Sequence, residues 1–147
     1  MSHFLNDGLH VKEYIYDFSV DGGAVGDIEL SSKTNSHLLP EGAIVKAVYM
    51  KVVTAFTSGG SATLTVGNAA DKDGYMASIA VASLTANAGF SYASQTGALL
   101  WDNTNDAPLA YVVTSSANTQ NLSITIGTAA MTAGKAVIMV EYYYPSI

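Results

Sequence analysis

Residues 43–67 read AIVKAVYMKVVTAF, then TSGGS, then ATLTVG. An apolar-rich run meets a Gly-Gly turn and returns as strict alternation, which is a β-hairpin signal. Along the first run, Ile44, Val48, Met50, Val52 and Phe56 share the even face, with Lys46 as the exception. Val45, Tyr49, Lys51 and Val53 share the odd face. Both faces are therefore partly apolar. A strand covered on one face by its own domain and on the other by a neighbour has this pattern.

A weaker copy of the hairpin lies 60 positions later with no insertion. Val52-Val53-Thr54 matches Val112-Val113-Thr114, and TLTVGNAA (63–70) matches SITIGTAA (123–130). Seven of nineteen positions are identical over residues 52–70, and three more are conservative. Two related hairpins would supply much of a β-sandwich. Alternating Thr/Val strands also look alike by chance, and a period this long with two copies lies outside the solenoid range.

Outward from the hairpin, short alternating segments recur. Residues 14–20 place Tyr14, Tyr16, Phe18 and Val20 on one face. Residues 26–30, 62–67, 98–101, 109–114, 122–127 and 135–144 read as further strands. Gly-rich or Asp/Asn-rich turns separate many of them. Residues 76–84 have mixed periodicity and read as a short helix or an irregular excursion, and residues 85–97 are polar and Gly/Ser-rich and read as a long crossover loop. Residues 1–13 are polar and mixed and read as an N-terminal arm. The expected organisation is that arm followed by one domain over residues 14–147. The expected fold is an all-β antiparallel sandwich of jelly-roll type, with about eight strands and at most one short helix. Its expected core is Phe18, Ile28, Ile44, Val48, Val52, Phe56, Leu64, Val66, Leu122, Ile124, Ile126, Ile138 and Val140.

Composition narrows the function classes. The chain has 147 residues, which suits one domain. Hydrophobic residues make up 49%, but charged residues only 12%, against about 25% in an average soluble domain. Ser, Thr, Gly and Ala fill the gap. Such a surface loses little side-chain entropy when a neighbour covers it, which points to life inside an assembly. The net charge is −6 and there is no Arg. Phosphate contacts dominate nucleic-acid affinity, so no nucleic-acid partner is expected. No polybasic patch or apolar run of about 20 residues is present, so no membrane partner is expected either. The absence of Cys excludes disulfides, thiolate metal sites and Cys nucleophiles. The first residues carry neither a charged n-region nor an apolar h-region, so the expected site of synthesis is the cytoplasm.

Few residues carry chemistry. His3, His10 and His37 lack metal-ligand spacing. Asp71 and Asp73, in DKDG, are weak Ca²⁺ candidates, because clustered carboxylates at a turn suit that ion. The remaining signature of a Ca²⁺ loop is missing, and Asp-x-Asp-Gly is also simply a good turn. DNTND (102–106) offers oxygens of the same kind. No nucleophile–base pair stands out, so no enzyme activity and no cofactor are expected. Trp101, beside DNTND, and the terminal Tyr142, Tyr143 and Tyr144 are aromatics at strand ends, where rings stack on sugars or anchor interfaces. The interface candidates are Tyr49, Lys51, Val53, Trp101, Tyr142 and Tyr144.

GDIEL (26–30), LPEGAIV (39–45), VTAFT (53–57) and SATLTVG (61–67) together resemble small β-sandwich or jelly-roll structural proteins of tailed bacteriophages, the capsid decoration type among them. The likeness is best over residues 21–74 and consists of apolar, Gly and Pro positions. It implies a virion location, a decoration or cement role on the shell, a homotrimer, and the major capsid protein or another virion protein as partner. The alternative is a carbohydrate-binding sandwich, a receptor-binding, head-fibre or tail component, supported by Trp101 with DNTND and the terminal Tyr cluster.

Overall fold

A computed structural model describes residues 8–32 and 38–145. The strands are β1 (Leu9–Asp17), β2 (Gly26–Glu29), β3 (Ile44–Ser58), β4 (Thr63–Gly67), β5 (Met76–Ala80), β6 (Gly89–Ser91), β7 (Trp101–Asp102), β8 (Ala107–Pro108), β9 (Tyr111–Val112), β10 (Ser123–Gly127) and β11 (Met131–Tyr143). Two four-residue helices, α1 (Phe18–Asp21) and α2 (Ala117–Gln120), and one 3₁₀ turn (Val81–Ser83) complete the elements.

Eight strands carry the architecture. The first sheet runs β1-β11-β3-β6, with β9 also pairing β3, and the second runs β2-β10-β4-β5. Within this eight-strand set the first pairs with the last, the second with the seventh, the third with the sixth, and the fourth with the fifth. Every pairing is antiparallel. The two outer pairings of each sheet are joined through β11–β3 and β10–β4. This nested pairing is the jelly roll, so the expected all-β sandwich is the observed fold. β7 and β8 form a separate hairpin closed by DNTND.

The core lies between the sheets. Tyr14, Tyr16, Val48, Met50, Val52, Ile138 and Val140 enter from the first sheet, and Leu64, Val66, Ile79, Ile124 and Ile126 from the second. Ten of the thirteen expected core residues are buried. Phe18, Ile28 and Ile44 are only partly buried.

Lys46 explains the displacement of Ile44. Glu141 pairs with Ala47 and Tyr142 with Val45, so Lys46 is an extra residue, a bulge in β3. A bulge inverts the in/out parity beyond it. Val45 therefore points inward on the same side as Val48, while Ile44 turns to the outer face and Lys46 stays in solvent. The lone charge on an apolar face marked the bulge.

Four other expectations change. β1 begins at Leu9, so Leu9 to Glu13 belong to the sheet and not to the arm; residues 1–7 lie outside the described residues. The alternation of residues 14–20 stops at Asp17, whose carboxylate caps α1 by accepting from the Ser19 amide at 3.0 Å. Val20 is consequently 74% exposed. Residues 76–84 divide into β5 and the 3₁₀ turn, and the two α-helices lie elsewhere. The stretch 85–97, expected as a loop, contains β6, which pairs with Tyr49, Met50 and Lys51.

The internal repeat is real only locally. Thr65 lies opposite Thr125 in the β4–β10 ladder, and the matched positions run outward from that pair in both directions. A local two-fold thus relates β4 to β10. Its other half fails, because β3 has fifteen residues and β9 two.

Candidate docking surface

The two outer faces of the sandwich differ in chemistry. On the second sheet, Asp27 accepts from Thr125 Oγ1 at 2.8 Å and pairs with Lys72 Nζ at 2.6 Å. Thr65 Oγ1 donates to the Lys72 carbonyl at 3.0 Å. The Lys72 hydrogen bond, then that from Thr125, hold the Asp27 carboxyl below its usual range. This face is polar and bonded to itself.

The outer face of the first sheet exposes an apolar set, continuous along one row and interspersed with charges beyond it. β1 contributes Leu9, Val11 and Ile15, because Tyr14 and Tyr16 on the alternate positions fill the core. Register then fixes the rest. Leu9 stands beside Tyr143, which stands beside Ile44, which stands beside Val112. Val137 lies between Ile15 and Lys51, and Met139 lies between Glu13 and Tyr49. Val53, the extra residue of a second bulge, also turns outward. Val11 is 55% exposed, Val112 56% and Ile15 46%. Seven of the twelve large exposed apolar residues among the described ones lie here. Singly exposed apolar residues are ordinary, but a contiguous apolar sheet face marks an interaction surface. Lys46 spans part of it, with Nζ 5.9 Å from the Tyr143 ring centre.

Three of the expected interface residues, Tyr49, Lys51 and Val53, fall together on this face. Tyr142 does not. It is 7% exposed in the core and stacks on His10, with ring centres 5.2 Å apart. Tyr143 takes the outward place, and Tyr144 is exposed beyond the end of β11. Leu9, Val11, Ile15, Val137 and Met139 were not among the expected interface residues. The odd-position alternation of Leu9, Val11 and Ile15 against Tyr14 and Tyr16 was the signal for the first three.

Trp101 is half-buried at the edge of the same sheet. Its ring lies 6.4 Å from Tyr92 at 58°, and Tyr92 lies 6.3 Å from Tyr49 at 74°. Tyr49 and Tyr92 pack edge to face and Tyr92 and Trp101 at a tilt, so the three rings share no plane and offer no flat platform for successive sugar rings. Trp101 Nε1 donates to Asp106 Oδ1 at 3.3 Å. Asp102 accepts from the Asn105 side chain and from the Thr104 and Asn105 amides, which holds its carboxyl low. Both Asp102 carboxylate oxygens are thus bonded within their own turn, and Asp106 Oδ1 holds the neighbouring Trp101.

Asp71 and Asp73 meet in the loop after β4. That loop folds back so tightly that a Cβ on Gly67 would lie 2.1 Å from the Asp71 carbonyl oxygen. Asn68 Oδ1 accepts from the Ala70 and Asp71 amides at 3.0 and 2.8 Å. Burial, then the hydrogen bond and charge of Asp73, push the Asp71 carboxyl up. Among the described residues no group of three or more His, Asp or Glu gathers that could hold a metal ion. His3 and His37 lie outside the described residues. Among those described, no helix is long and apolar enough to cross a membrane.

The chain superposes on a chain of the capsid asymmetric unit of cyanophage Pam1 with a TM-score of 0.59 and 21% identity, covering 94% of this chain and 86% of that one. The likeness is one of fold. A chain of the acid-stable capsid of Helicobacter pylori bacteriophage KHP30 aligns with a TM-score of 0.48 and 17% identity, over 94% of this chain and 89% of that one. No family model matches the sequence, and neither does any curated protein.

Proposed function

We infer that this chain is a non-enzymatic structural protein of a phage virion, a decoration or cement protein that binds the shell as an oligomer. The observation that carries the reading is the apolar outer face of the first sheet. Leu9, Val11, Ile15 and Val112 are about half exposed, so leaving them in water forgoes roughly 1 kcal/mol per side chain, about half the value of full burial. A free monomer gains nothing from that arrangement, whereas a subunit in a lattice does. The likeness in fold to a phage capsid chain supports the virion as the place where the face is covered. The low density of long charged side chains supports it too, since a Ser/Thr/Gly/Ala surface is cheap to bury. The partners in this reading are further copies of the chain and the major capsid protein.

The test is occupancy on particles of the virus that carries the sequence, read by immunolabelling and by particle microscopy. Wild-type protein should decorate the shell. Met139→Asp places a charge in the middle of the apolar face and should strip the particles while leaving the β-rich spectrum intact. Wild-type protein absent from intact particles would overturn the reading.

A further inference from the structure

The outer row of β11 reads Lys135, Val137, Met139, Glu141, with a base at one end, an acid at the other and two apolar side chains between. We propose that the outer face of the first sheet joins two copies of this chain, stacked face to face about a two-fold axis that crosses the strands between Val137 and Met139. The proposal names the partner for the face and so rests on the oligomeric reading above.

Three observations select a second copy as the occupant. The first is the palindromic charge pattern. The axis sets Lys135 over Glu141 of the partner subunit, and Val137 over Met139 of the partner subunit. On β3, Tyr49 is level with Met139 and Lys51 with Val137. The same axis therefore sets Lys51 over Tyr49 of the partner subunit, a cation on an aromatic face. On the edge strand β1 the axis sets Glu13 over Ile15 of the partner subunit and Val11 over Asp17 of the partner subunit, so the complementary charges lie on β11 and β3.

The second observation is the charge balance. The face carries Lys46, Lys51 and Lys135 against Glu13, Asp17 and Glu141, which sum to zero. The whole chain has six Lys and twelve acids, so the other three Lys and nine acids carry all of the −6. Two net-negative copies repel at long range, and a face whose own charges balance lets them meet without adding to that cost.

The third is size. Nine residues on each of β1, β11 and β3 with the three of β6, at about 4.8 Å between strands and about 3.3 Å per residue, give a patch of roughly 500 Å² per copy. Two copies together reach about 1,000 Å², the threshold for a specific contact. Facing sheets also align within about 30°, as this axis requires.

Sedimentation of the full chain over a wide concentration range tests the pairing. Wild type should show a monomer–dimer equilibrium. Glu141→Lys should weaken the dimer at least about tenfold, since like charges then face each other. Lys135→Glu should do the same, although it also loses the 3.6 Å pairing with Asp17 in its own chain, which makes Glu141→Lys the cleaner single change. The double reversal, Lys135→Glu with Glu141→Lys, should restore the dimer. Circular dichroism shows whether each variant folds. A monomer at every concentration, a trimer indifferent to Glu141→Lys, or a double reversal that stays monomeric would each overturn the pairing. Particle occupancy is read separately. A monomer found on particles sinks the pair and spares the virion reading; a dimer never found on particles does the opposite.

Discussion

Phe56 and Gly134 offer a measurement of how the bulged end of the first sheet is packed. Phe56 is 5% exposed and stacks on Tyr16, with ring centres 5.4 Å apart and planes 20° apart. Beneath it is Gly134, at φ 143°, where a Cβ would lie 2.6 Å from two ring carbons. Phe56→Ala removes the buried ring, leaves a cavity and ends the stack, at a cost of about 3–5 kcal/mol. Small domains have about 5–15 kcal/mol in all, so this is a large share. Gly134→Ala carries two costs. The positive φ costs about 1–3 kcal/mol in any background. Displacing the ring costs about 1–3 kcal/mol more, and only while the ring is there. The double variant should therefore be less destabilised than the sum of the two singles by about 1–3 kcal/mol. Urea unfolding at one fixed protein concentration measures all four corners of the cycle. Additive costs, or a loss below about 1 kcal/mol for Phe56→Ala, would show that the ring does not sit on the glycine.

Two further outcomes are expected. Ser31 is 1% exposed, and its Oγ accepts from the Leu122 amide and donates to Glu29 Oε1, each at 3.1 Å. Ser31→Ala strips a buried amide of that acceptor and should cost about 1–3 kcal/mol by urea unfolding; an unchanged midpoint would contradict the bond. Asp71 has its folded pKa raised, so the stability it contributes is present at acid pH and is lost as pH rises through that folded value. Asp71→Asn, uncharged throughout, should melt higher than wild type at neutral pH and lose the advantage under acid conditions; a constant difference across pH would show that the Asp71 carboxyl is not raised by its burial and its neighbour.

The strands that could be read from sequence are those whose alternation is long and undisturbed. β3, β4, β10 and β11 supply Val48, Val52, Leu64, Ile124, Ile138 and Val140 to the core at the expected parity. The misplacements trace to local events that override parity. Lys46 is one, where an inserted residue sends Ile44 outward. Asp17 is another, where a side chain caps a turn and leaves Phe18 and Val20 off the strand. β6 is three residues long and exists because β3 pairs with it, so no periodicity within Gly89–Ser91 announces it. The candidate docking face was half legible. Tyr49, Lys51 and Val53 follow from the two-faced pattern of β3. Tyr142 was legible as an inward residue, since it continues the parity of Ile138 and Val140, and Tyr143 follows as its outward neighbour.

The nested pairing also dictates the order in which the fold can form. Leu9 pairs with Tyr143, so the first described strand waits for the last. β11 lies between β1 and β3, which makes the last described strand an interior one of its sheet. Until it arrives, β1 and β3 have no common partner and expose open edges, the condition under which unfinished β-chains aggregate. Folding dominated by such distant pairings belongs to the slow, millisecond-to-second range. A nascent chain stopped before Met131 would lack the centre of the first sheet, and β1 and β3 would have nothing to join them.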